Sequence, residues 1–163
     1  MTSKSTTVEL SFWIAPDDLL PEAQVAAFIG KDPEALSDIQ SQLGSLTVSS
    51  GETSMRFADT LFWMVPQLCF DVVVNLVETG TAFFEPWSAE NGYEFKRAGG
   101  SIDISSTYGQ PCGFPDASYL RAMYEAGLRY VALVERYWRE QAGEDFPVLK
   151  ERAENARKAL ENL

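Results

Sequence analysis

Residues 116–139 read DASYLRAMYEAGLRYVALVERYWR, and their spacing decides the class of fold. Leu120, Met123, Tyr124, Gly127, Val131, Val134 and Trp138 recur at helical intervals and share one face. Arg121, Glu125, Arg129, Ala132, Arg136 and Arg139 trace the opposite face. Glu125 with Arg129, Glu135 with Arg139 and Arg136 with Glu140 stand four residues apart, the spacing of ion pairs along a helix. Asp116 is placed as the N-cap. A helix with so broad an apolar stripe has to lie on something. Gly127 is its expected weak point, since glycine costs about 1 kcal/mol against alanine inside a helix.

What it lies on is written upstream, where the period falls to two. Val8, Leu10, Phe12 and Ile14 alternate with Glu9, Ser11 and Trp13, predicting a half-buried strand that ends at Pro16-Asp17-Asp18. A short helix from Pro21 carries Val25, Ala26, Phe28 and Ile29 and is stopped by Gly30. Residues 32–42 are expected to add one or two helical turns, with Pro33 first and Leu36, Ile39 and Leu43 on one side. Leu46 and Val48, the turn Ser50-Gly51, then Thr53, Met55 and Phe57 predict a hairpin. From Val65 the helical period returns. Val65, Leu68, Cys69, Val72 and Leu76 face one way, and Gln67, Asp71, Asn75 and Glu78 the other. Pro66 suits the first turn of this helix and Gly80 its C-terminal cap.

Thr81–Glu85, Tyr93–Arg97 and Ser101–Thr107 then predict a three-stranded meander, followed by a Pro/Gly-rich link from Gly109 to Pro115. After Gly143 a last helix, 147–162, repeats Leu149, Ala153, Ala156, Leu160 and Leu163 as a narrow seam that pairs antiparallel with the preceding helix. The expectation is one α+β domain over residues 1–163, with residues 1–7 disordered. Its mostly antiparallel sheet of about six short strands packs against helices and ends in a C-terminal helix hairpin.

The charge is lopsided. The 163-residue chain carries a formal net charge of −11. Up to Leu120 there are 5 Lys and Arg against 16 Asp and Glu, and from Arg121 onward there are 8 of each, so the whole excess lies upstream. Such a field repels nucleic-acid phosphates and membrane surfaces and attracts basic partners. The bland alternative is that the acidity serves solubility. The polar start Met1 to Thr7 lacks the apolar run of an export signal, and there are only two cysteines, so a reducing cytoplasmic setting is expected. Pro66, Gln67, Asp71 and Asn75 interrupt the most apolar segment, which is therefore not read as a membrane span.

With no histidine in the chain, Ser-His-Asp and Cys-His catalysis and histidine metal ligation drop out. Cys112, between Pro111 and Gly113, reads as an exposed thiol with no basic neighbour to activate it. No phosphate cradle or dinucleotide fingerprint is present, and no cofactor is expected. Carboxylate chemistry survives: Asp17 with Asp18, or Asp71 with Glu78, are pairs of the type used by hydrolases, although in a chain with 24 acids most such pairs are solvated faces and Asp71 and Glu78 lie on the exposed stripe.

Two stretches are candidates for contact with another protein. In Phe83–Tyr93 large aromatics alternate with acids, and Glu85, Trp87, Glu90 and Tyr93 are the residues expected to anchor and pair with a basic surface. The second stretch is the acidic lip Asp17, Asp18 and Glu22. The competing reading is that Phe83, Phe84 and Trp87 cover the edge of the core.

The opening Val8-Glu9-Leu10-Ser11-Phe12-Trp13-Ile14 and the Val65-Pro66-Gln67-Leu68-Cys69-Phe70 helix start carry a likeness to a known group. So do the strand Gly100-Ser101-Ile102-Asp103-Ile104-Ser105 and the segment Phe114-Pro115-Asp116-Ala117-Ser118-Tyr119-Leu120. In this order the chain resembles the immunity proteins of bacterial polymorphic-toxin systems, small acidic cytosolic α+β domains that block a toxin by direct binding. The resemblance implies a non-catalytic inhibitor of a toxin with a basic active cleft, such as a nuclease. Its partner is then a cognate toxin or another basic protein, without nucleic acid or membrane, and monomer and homodimer both remain open. A carboxylate-dependent hydrolase and a structural or regulatory subunit are the alternatives.

Overall fold

The computed structural model describes residues 5–15, 17–87 and 92–163. Among these the strands form two four-stranded antiparallel sheets, in the orders β2-β1-β3-β4 and β5-β6-β7-β8, and the architecture is α+β. The first sheet comprises β1 (Thr7–Ala15), β2 (Asp18–Pro21), β3 (Leu43–Ser50) and β4 (Thr53–Thr60). Its register sets Leu10 opposite Leu46 and Leu46 opposite Phe57, so the alternating apolar residues of three strands meet on one buried face. Between β2 and β3 lies the short helix α1 (Val25–Lys31).

The second sheet comprises β5 (Thr81–Phe84), β6 (Tyr93–Ala98), β7 (Ser101–Ser106) and β8 (Cys112–Pro115). The edge strand β4 lies against β8 of the other sheet. Phe57 bridges the sheets, its ring 4.9 Å from Tyr93, 6.2 Å from Phe95 and 6.4 Å from Phe84. The helices α2 (Leu61–Pro66), α3 (Val72–Glu78), α4 (Asp116–Tyr137), α5 (Arg139–Ala142) and α6 (Asp145–Leu160) complete the core. α4 packs between β1 and the helical segment leading into α3, while α6 packs on α3 and α4. Arg157 and Leu160 at the end of α6 line a cleft with Arg121 and Glu125 near the start of α4, so these two helices run antiparallel, as their seams predict.

Several expectations are corrected. α1 runs through Gly30 to Lys31, and Asp116 is the first helical residue of α4, with Pro115 at its N-cap. Residues 32–42 form turns rather than helix, and Leu36 takes a left-handed φ of 60° that a helix cannot include. The turns bury only Ile39 completely, too narrow an apolar face to hold a helix in place. The Pro/Gly-rich link contains a strand: Phe114 pairs with Ile102 and is buried, and an edge position tolerates Pro115. Asp18–Pro21 forms another short edge strand in place of a simple strand ending. The helix placed at Val65 begins at Leu61, so Pro66 sits inside it. A proline there lacks its N–H and crowds the preceding turn, and the chain answers with a π-helical turn over Gln67–Asp71 before α3 resumes.

The buried faces follow the spacing even where the helix ends do not. Val65, Leu68, Cys69, Val72 and Leu76 are buried, and Gly80, at φ 80°, donates its N–H to Asn75 and Leu76 carbonyls as a helix cap. Gly127 does not break α4; a Cβ there would lie 2.6 Å from Phe70 and 2.7 Å from Cys69, so its lack of a side chain lets two helical segments touch. Order reaches further toward the N-terminus than expected: Thr7 opens β1 and the Thr6 hydroxyl lies 2.7 Å from that of Ser118, while Met1–Lys4 fall outside the described residues.

Candidate functional site

Asp59 stands at the end of β4, 2% exposed, where a carboxylate has to be satisfied by donors. Its Oδ1 accepts the Thr60 N–H at 2.7 Å and its Oδ2 the Trp87 N–H at 2.6 Å. The second bond crosses from the end of one sheet to the segment leaving β5 of the other and fixes the backbone at Trp87. Alternation along that segment buries Phe84 and Pro86 and turns Phe83, Glu85 and Trp87 outward. Trp87 is 77% exposed, and its ring meets Trp63 of α2 edge-on at 5.5 Å. Trp63 is itself 43% exposed.

The two indoles form one wall of a groove of about 460 Å³; the first turns of α6 supply the other, through Asp145, Val148, Leu149 and Arg152. Val148 is half exposed and Leu149 is buried beneath it. The Arg152 guanidinium is already engaged, donating to both oxygens of Asp71 at 3.1 and 2.5 Å. Gln40 closes one end, its amide held by a bond to the Gln141 carbonyl at 3.1 Å.

A second groove of about 520 Å³ begins one residue further on, lined by Trp13, Ala15, Asp38, Ser41, Gln42 and Leu43. The Gln42 amide pins its rim by donating to the Trp13 carbonyl at 2.7 Å and to that of Leu43 at 2.9 Å. Leu43 and Thr60, one on each groove, are direct partners in the β3–β4 ladder. The grooves therefore adjoin across the turn at residues 40–42. Asp17, in the turn between β1 and β2, and Asp18, which opens β2 opposite Ala15, are both exposed. Asp17 and Asp18, seventy residues before the aromatic patch in sequence, thus lie at the same end of the molecule, while Glu22 of the acidic lip sits further back along β1.

The candidate residues separate by role. Asp17, Asp18, Glu85 and Trp87 are exposed. Glu22 is occupied: it accepts from Arg129 at 2.9 and 3.2 Å, and Arg129 also donates to the Val8 carbonyl at 2.9 Å, tying α4 to β1. That contact replaces the helical pair expected between Arg129 and Glu125. Tyr93 is half-buried on Phe57 and Phe84, and desolvation raises its phenol above the ordinary value. It therefore serves the core edge. Glu90 lies outside the described residues. Trp63 and Val148 were not singled out from the sequence. Trp63 was legible as a large aromatic four residues before Gln67, at the head of a stripe otherwise polar, but a helix drawn from Val65 leaves it out.

Cys69 and Cys112 are free thiols; burial pushes the Cys69 thiol well above its ordinary range and keeps it protonated. Among the described residues no three Cys, Asp or Glu side chains gather as a metal site. The groove offers two indole faces, an apolar wall and the carboxylate of Asp145, a set suited to holding a ligand. The chain matches no protein-family model, and neither a curated protein nor a solved structure is significantly similar to it.

Proposed function

We propose that the chain is a non-catalytic protein-binding module, an inhibitor of the immunity type that neutralises a basic toxin by covering its cleft. The observation that carries this reading is Trp87, a large aromatic held 77% exposed by a buried carboxylate and backed by Trp63. Exposed tryptophan forfeits the burial that would stabilise the fold, and a rigid exposed indole is the kind of residue around which protein interfaces concentrate their binding energy. The adjoining Asp17, Asp18 and Asp38 add negative charge at the same end, and the whole chain carries −11. Acids at the rim speed encounter with a basic surface, and the indoles slow its release.

The test is capture from the native host on immobilised wild-type chain, with Trp87→Ala and Asp17→Asn/Asp18→Asn as parallel baits. A single basic protein should be retained by the wild type, depleted on the Trp87 variant, and toxic when expressed without the chain but harmless with it. A retained protein that is not toxic would instead support a regulatory or structural subunit. Equal retention by all three baits would remove this end of the molecule as the interface.

A further inference from the structure

We infer that the groove between Trp63, Trp87 and the first turn of α6 receives an arginine side chain of the basic partner, stacked on indole and paired with Asp145. The inference rests on the protein-binding reading above and adds the chemistry of recognition. Elsewhere the chain covers aromatic faces with its own cations: Arg56 lies 5.6 Å from the ring centre of Trp13, Arg136 lies 5.1 Å from that of Tyr137, and Arg139 lies 5.0 Å from that of Phe146. Among the described residues no Lys or Arg is placed in this way over Trp63 or Trp87, the indole pair that lines the groove. Two indole faces without a cation present a negative quadrupole to whatever enters.

The charges of the groove point the same way. The Arg152 cation is taken up by Asp71 in a forked pair, which offsets much of its repulsion of an incoming guanidinium. Asp145 is exposed, and among the described residues no salt bridge or hydrogen bond engages its carboxylate. Val148 and Leu149 give an aliphatic stem something to lie on. A planar guanidinium stacks on indole and presents its N–H edge to a carboxylate at once, which a compact ammonium does less well; arginine fits better than lysine.

The decisive experiment titrates the full chain with a glycine-flanked arginine pentapeptide and follows the four indole N–H resonances by NMR, assigned through Trp→Phe variants. The citrulline pentapeptide, equal in shape but uncharged, and the lysine pentapeptide serve as comparisons. Saturable shifts should appear at Trp63 and Trp87 and not at Trp13 or Trp138, and citrulline should bind at least about fivefold more weakly. Asp145→Asn should weaken the arginine peptide by about threefold, and Trp87→Ala by roughly tenfold. Asp145→Asn keeps an exposed polar residue at the helix start, so it tests the charge without disturbing the fold. Equal shifts with citrulline would overturn the inference in favour of an apolar ligand. Shifts that grow with protein concentration alone would overturn it in favour of a second copy of the chain. If no peptide moves either indole, the arginine site is lost while the captured partner still decides the broader reading.

Discussion

The contact between α4 and the π-helical turn and the groove between α2 and α6 are both built from aromatic residues, and they use them in opposite ways. In the first, Gly127 brings Cys69 and Phe70 within 3 Å of where a side chain would begin, and Tyr119 and Tyr130 are fully buried. Among the described residues neither phenol oxygen has a hydrogen-bond partner, and these rings are held by shape and burial. In the second, Trp63 and Trp87 meet edge-on and remain 43% and 77% exposed, and Asp59 holds the backbone N–H of Trp87. Where aromatics stabilise the fold they are dry and crowded; where they are oriented by a buried carboxylate and left in water, the fold gains little from them. The contrast separates stability from recognition, and each region can be perturbed without the other.

The largest effect is expected in the crowded region. Val131, buried on α4, cannot accept a charge without loss of its solvation, so Val131→Asp should lower unfolding free energy by about 3 kcal/mol or more in urea titration. Gly127→Ala comes next. Helix propensity alone favours alanine by about 1 kcal/mol, but the new methyl meets Phe70 and Cys69, so a net loss of about 1–2 kcal/mol is expected. An increase in stability would show that the two segments separate easily and would undo the contrast.

Asp59→Ala joins the two regions. It strands the N–H groups of Thr60 and Trp87 and should cost about 1–3 kcal/mol, together with faster hydrogen exchange at the Trp87 amide. Exchange as slow as in the wild type would mean that packing, not Asp59, orients the indole. Trp87→Ala should be the mildest, within about 0.5 kcal/mol of wild type by the same titration, because the side chain lies mostly in water. A loss of about 2 kcal/mol would reassign Trp87 to the core.

This division also explains what was legible in sequence. Elements with one buried face announced themselves: the alternation in β1, the heptad-like stripe of α4 and the capping Gly80 all carry local periods that tertiary packing reinforces. The segments that departed from expectation are those where periodicity is overruled. Pro66 reads locally as a helix start, yet Leu61 and Met64 upstream have buried positions waiting for them, and the helix absorbs the proline through a π turn. Phe114 draws a Pro/Gly-rich stretch into the sheet because its ring is buried there. The groove was half legible. Trp87 and the acids Asp17 and Asp18 stood out by residue type, but Gln40, Trp63 and Val148 come from segments whose meeting depends on how two sheets and a helix pair are placed, and no local spacing encodes that.

The claim that the exposed indole end is the docking surface is tested most directly by hydrogen exchange on the complex with the captured partner. New protection should fall on residues 61–66, 85–87 and 145–152, and extend across 38–43 toward Asp17 and Asp18. Protection confined to the outer face of the second sheet, around Lys96 and Asp103, with the indole end exchanging as in the free chain, would contradict it.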